Sequence, residues 1–102
     1  MIAIRESRTL IVGGRFIATL PGLGAAGYRW AATIKGPAIV SVARISPVSG
    51  SVGRPAGASQ DEAFEIDAVM AGKTTVQFVQ ARSFEPSHEP HAVREIHLTV
   101  VP

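Results

Sequence analysis

Leu20-Pro21-Gly22-Leu23-Gly24-Ala25-Ala26-Gly27-Tyr28-Arg29-Trp30 can be read in two incompatible ways. Gly22, Gly24 and Gly27 spell the G-x-G-x-x-G of a dinucleotide-binding turn. The same residues also fit a loop that joins two strands at the end of a β-sandwich. The nucleotide reading needs a helix starting at the third glycine, because the pyrophosphate rests on that helix's N-terminus. After Gly27 the chain instead reads Tyr-Arg-Trp-Ala-Ala-Thr-Ile, aromatic and alternating, and is broken by Gly36-Pro37. It also needs an acid some twenty residues on to hold the ribose. No acid occurs between Glu6 and Asp61, so the strand–loop–strand reading survives.

Working outward, the period of the pattern is two. Residues 9–12 are a short apolar run that Gly13-Gly14 turns into residues 15–20. Tyr28, Trp30, Ala32 and Ile34 share one face of the next strand. A β-branched stretch over 38–45 follows Gly36-Pro37, and residues 47–59, rich in Ser, Gly and Pro, form a long loop. Phe64, Ile66, Ala68 and Met70 alternate with Glu65 and Asp67, the pattern of a strand with one face in water. Ala71-Gly72-Lys73 signals a turn, and residues 74–80 are expected to pair with the strand before it. Residues 85–90 form another loop. Residues 93–101 make the last strand, with Ile96, Leu98 and Val100 inward. No ten-residue segment has helical spacing. The chain is thus expected to be an all-β, immunoglobulin-like β-sandwich of Greek-key type with about seven to eight strands, one domain over residues 1–102.

Composition bounds the function. The 102 residues carry 46% hydrophobic and 18% charged side chains, a globular balance, and no cysteine, which removes disulfides and thiolate chemistry. No apolar run reaches membrane-span length, and no membrane partner is expected. The N-terminal stretch lacks a signal peptide's apolar core. The compartment is left unknown: the expectation is cytoplasmic for the chain as given, and periplasmic or secreted if a signal was removed. The net charge of +2 hides an asymmetry: residues 1–60 hold seven cations against Glu6 alone, and residues 61–102 hold seven acids against Lys73, Arg82 and Arg94. The cations are scattered singly with no aromatic platform, which argues against nucleic acid and for charge pairing between neighbouring strands.

Sites of chemistry are sparse. His88 and His91 share a loop with Pro86 and Pro90, and His97 alternates with apolar residues on the last strand, so no metal set of close spacing forms. There is no G-x-S-x-G turn and no carboxylate–histidine spacing of a triad. Glu65 and Asp67 belong to the wet face of a strand. Neither an enzyme nor a cofactor is expected.

The frame of the opening stretch resembles the chagasin family, protein inhibitors of papain-like cysteine proteases. The family's first loop reads Leu-Pro-x-Asn-Pro-Thr-Thr-Gly-Tyr/Phe-x-Trp; Leu20, Pro21, Gly27, Tyr28 and Trp30 match it without a gap. Leu23, Gly24, Ala25 and Ala26 stand where the family has Asn-Pro-Thr-Thr. A glycine-rich second loop corresponds to residues 53–61, with Gly57 as the family glycine. The family's Arg-Pro-Trp falls on Arg82-Ser83-Phe84. The resemblance implies a reversible, non-covalent inhibitor that binds a papain-like protease through three loops at one end of the sandwich; a monomer is expected, though the sequence does not fix the oligomeric state. The binding residues would be Leu23, Gly24, Ala25, Ala26, Gly27 and Tyr28 on the wedge, flanked by Gly57 and by Arg82, Ser83 and Phe84.

The substitutions within that frame have a direction. A wedge works when it is preorganised, because ordering it on binding subtracts from affinity. Losing the proline, the threonine hydroxyls and the tryptophan anchor is expected to weaken binding by roughly 10²–10⁴-fold relative to the family pattern. Trp30 is expected in the core, and Gly27 at a backbone conformation of positive φ. The alternative from another class is a non-inhibitory interaction or structural domain that keeps only the scaffold.

Overall fold

A computed structural model describes residues 2–22, 27–45, 61–82 and 90–102. Among these residues seven strands form two sheets: β1 (Ile2–Ile11), β2 (Arg15–Leu20), β3 (Tyr28–Lys35), β4 (Val40–Ile45), β5 (Glu62–Ala68), β6 (Gly72–Arg82) and β7 (Ala92–Val101). One sheet has the order β1-β7-β6-β3 and the other β2-β5-β4. The immunoglobulin-like, all-β expectation holds.

Alternation explains which faces meet. Val76, Phe78, Ile96, Leu98 and Val100 point inward from one sheet, and Ala18, Leu20, Phe64, Ile66 and Ala68 from the other. Phe64 and Phe78 cross the interface with ring centroids 5.0 Å apart in a tilted pair. Such packing contributes about 0.5–1.5 kcal/mol beyond the area it buries. Trp30 is buried in the same cluster, as its inward parity on β3 requires.

Three details differ from the sequence reading. First, β1 begins at Ile2, well before the apolar run at 9–12. It is an edge strand paired in parallel with β7 from Ile2↔Ala92 to Ile11↔Val101. Backbone pairing at long range, rather than local apolar periodicity, makes it a strand. Second, β6 does not pair with β5. The turn after Ala68 crosses from one sheet to the other, and β6 lies between β7 and β3. The Val69 and Met70 amides both donate to the Ile39 carbonyl, at 2.9 and 3.1 Å, which ties the crossing to the β3–β4 connection. Third, Met70 therefore lies beyond β5 and is 55% exposed, not inward.

The asymmetric charges meet across strands. Arg15 on β2 reaches Glu65 at 2.6 Å and Asp67 at 2.9 Å on β5. Its hydrogen bond to Asp67, then the charges of Glu65 and Asp67, raise the already high guanidinium pKa. Arg5 on β1 lies 3.3 Å from Glu95 on β7, and Glu6, the one acid of residues 1–60, is held by Arg94 on β7 at 2.6 Å. The basic first half and the acidic second half of the chain are paired by the sheet order.

Candidate functional site at the loop end

Residues 23–26, 46–60 and 83–89 lie outside the described residues, and the strand ends that bracket them gather at one pole. Leu20, the end of β2, is opposite Glu62, the start of β5. Ile45, the end of β4, is opposite Ala63. Tyr28, the start of β3, is opposite Arg82, the end of β6. The start of β7, Ala92, is opposite Gln80. All three segments that the resemblance marks as binding loops thus depart from the same end of the sandwich.

A buried carboxylate and partly exposed guanidinium groups join the two sheets at this end. Glu62 sits on the inward face of β5 with only 9% of its side chain exposed. Its carboxylate accepts the Trp30 backbone N–H at 3.3 and 3.4 Å on its two oxygens. The Arg44 guanidinium donates through one nitrogen to Glu62 and through the other to the Trp30 carbonyl. Arg29 approaches the same carboxylate at 3.5 Å. A buried carboxylate is tolerated only when paired and hydrogen-bonded, and here both conditions are met.

A second network centres on the Pro21 carbonyl. It accepts the Trp30 indole N–H at 2.9 Å and the Gln80 amide at 3.1 Å. Trp30 is therefore both a core plug and a strut for the chain just before residues 23–26. Beside it opens a cavity of about 340 Å³, whose lining includes Ile4, Leu20, Trp30 and Ala92, with Gln80, His91 and Arg94 as its polar side chains.

Gly27 has φ +89°, as expected, so the chain enters β3 through a conformation that L side chains resist. Tyr28 follows between two neighbours. The Arg82 guanidinium lies 4.7 Å from its ring centroid and the His91 ring 5.3 Å away, tilted by 46°. The His91 amide donates to the Gln80 carbonyl at 2.8 Å, which fixes where β7 begins.

The structure therefore brings together Gly27, Tyr28 and Arg82 of the expected site. Leu23, Gly24, Ala25, Ala26, Gly57, Ser83 and Phe84 lie outside the described residues, as does His88. His97 sits elsewhere, on the outer sheet face, with Nδ1 3.0 Å from Thr75 Oγ1. Among the described residues no three potential ligands group as a metal site. Sequence reasoning missed Glu62, Arg44, Gln80 and His91. For Glu62 and Gln80 a signal existed: each shares the parity of inward residues, Phe64 and Ile66 for one, Val76 and Phe78 for the other.

Comparison with known proteins agrees with this geometry. The sequence pattern described as chagasin family peptidase inhibitor I42 matches residues 9–100. No curated protein sequence matches significantly. Among solved structures, the cysteine protease inhibitor EhICP2 from Entamoeba histolytica is similar at 13% identity and TM-score 0.74, over 97% of this chain and 93% of that one. PbICP-C, solved in complex with falcipain-2, is similar at 16% identity and TM-score 0.64, over 96% and 88%. Amebosin is similar at 16% identity and TM-score 0.67, over 97% and 96%. At such identities the structural likeness establishes the fold.

Proposed function

The chain belongs to the chagasin family of peptidase inhibitors, and from that premise we propose that it inhibits a papain-like cysteine protease reversibly, as a monomer, without covalent chemistry. Leu23, Gly24, Ala25, Ala26 and Gly27 form the wedge that enters the protease cleft, with Tyr28 at its base. Gly57 and its neighbours flank it on one side, and Arg82, Ser83 and Phe84 on the other. The observation that carries this reading is the convergence of three loop roots at one pole, joined by the Glu62 and Pro21 networks. A rigid base suits a wedge, since whatever is ordered before binding need not be ordered during it. Family membership favours this reading over a scaffold that binds no protease.

The test is a titration of the pure protein against papain or a cathepsin-type protease, followed by hydrolysis of a small peptide substrate. Dose-dependent inhibition, recovered on dilution with the chain uncut, is expected. Full protease activity at high micromolar inhibitor would overturn the proposal. Replacing residues 23–26 by Asn-Pro-Thr-Thr should tighten inhibition by at least about tenfold through loop preorganisation. No gain would remove the wedge from the explanation.

A further inference from the structure

We infer that Glu62, with Arg44, is a positioning residue for the wedge: together the two side chains take the place of a ladder partner at Trp30 on β3. The inference rests on the inhibitor reading for its functional consequence and on the fold alone for its geometry.

β3 is the edge strand of its sheet, paired on one side with β6 and on the other with no strand among the described residues. An edge strand presents unpaired N–H and C=O groups that water or another chain must satisfy. At Trp30 both groups turn to side chains from the other sheet. The N–H donates to the Glu62 carboxylate, and the C=O accepts from Arg44, which also donates to Glu62. Trp30 N–H, Glu62, Arg44 and Trp30 C=O thus close a ring. It gives the residue the donor and acceptor that a ladder partner would provide.

The location of the ring gives it a task. Trp30 is three residues after Gly27, where the first loop becomes strand. Glu62 is the first residue of β5 and Arg44 the last but one of β4, so they flank residues 46–60. One carboxylate therefore ties the exit of the first loop to both roots of the second. An apolar residue in its place would fill volume without setting the direction of β3. Charge-assisted bonds with a planar, two-pronged guanidinium are directional, and Lys cannot reproduce them.

Three variants test this. In Glu62→Gln the shape is kept and the charge is lost. In Arg44→Lys the charge is kept and the fork is lost, so it serves if the first variant folds poorly. Glu6→Gln, on the opposite edge strand β1, breaks the part-buried pair of Glu6 with Arg94 of β7 and controls for general destabilisation. Each variant is measured by its inhibition constant on papain and by hydrogen exchange of the Trp30 amide in the free protein. Glu62→Gln and Arg44→Lys should each weaken inhibition by about tenfold, because a smaller fraction of molecules holds the competent loop. The Trp30 amide should exchange at least about tenfold faster in both, and Glu6→Gln should change neither quantity. Unchanged Trp30 exchange in Glu62→Gln and Arg44→Lys would overturn the clamp. Faster exchange with unaltered inhibition would overturn its role in positioning the wedge, as would equal weakening by Glu6→Gln. Because the exchange arm needs no protease, failure of the inhibitor reading is told apart from failure of this one.

Discussion

The two poles of the sandwich are built from different materials. At the loop end, polar side chains cross between sheets: Glu62 and Arg44 hold the Trp30 backbone, and Trp30 and Gln80 hold Pro21. At the other end the chain turns are closed by backbone hydrogen bonds, Gly13 to Ala68 at 2.8 Å, Gly14 to Ile11 at 2.7 Å and Val12 to Val101 at 2.9 Å. Large aliphatic side chains lie open there, with Ile11 63% and Val69 55% exposed. Backbone bonds suffice to reverse a chain. Directional side-chain networks are needed where several loop roots must keep fixed relative positions, and the molecule places them at that end.

The largest break in this contrast is Trp30→Ala. It removes a buried aromatic and the donor to Pro21, and should cost about 3–5 kcal/mol in denaturant unfolding. Ile39→Ala, buried near the other pole, should cost about 2–4 kcal/mol. At a temperature where both variants are folded, only Trp30→Ala should weaken inhibition. Equal loss in both would mean that general stability, not the loop end, governs binding.

A sharper comparison uses two glycines of nearly the same conformation. Gly27 has φ +89° and Gly13 has φ +87°, at opposite poles. A Cβ at Gly13 would meet nothing within 4 Å, so strain alone sets its cost. Gly27→Ala and Gly13→Ala should each lose roughly 1 kcal/mol, read as a shift of the denaturation midpoint. Inhibition should fall for Gly27→Ala and stay unchanged for Gly13→Ala. The smallest effects belong to the open aliphatics. Val69→Thr and Met70→Gln should shift stability by no more than about 0.5 kcal/mol and leave inhibition as it was.

How much of this the sequence announces follows from what holds each part. The stretches that alternate cleanly, residues 64–68 of β5 and 96–101 of β7, are legible because burial on one face imposes period two. The first eight residues carry Arg5, Glu6, Ser7 and Arg8 on a strand held by parallel pairing with residues about ninety positions away. Local pattern cannot reveal that partner. The crossing after Ala68 is likewise a tertiary matter: Ala71-Gly72-Lys73 signals a turn, and a turn signal does not say which sheet receives the chain.

In the site, the frame was legible and the clamp was not. Leu20, Pro21, Gly27, Tyr28 and Trp30 are spaced as the family spaces them; Trp30 is in the core and Gly27 has positive φ as expected, while the Pro21 carbonyl as acceptor of the Trp30 indole and the stacking of Tyr28 on Arg82 emerge only from the fold. Glu62 stood among Asp61, Glu65 and Asp67, and an acid in an acidic stretch looks solvated. Its parity with Phe64 and Ile66 points it inward, but only the meeting of β3, β4 and β5 shows that Trp30 and Arg44 are there to receive it.

The central claim is that the loop end is the working end, and amide hydrogen exchange on a complex with a papain-like cysteine protease tests it most directly. The account predicts slowed exchange on binding over residues 20–30 and 80–92, with residues 11–14, 36–39 and 69–72 unchanged. Slowed exchange at those latter turns, with the loop end unaffected, would contradict it.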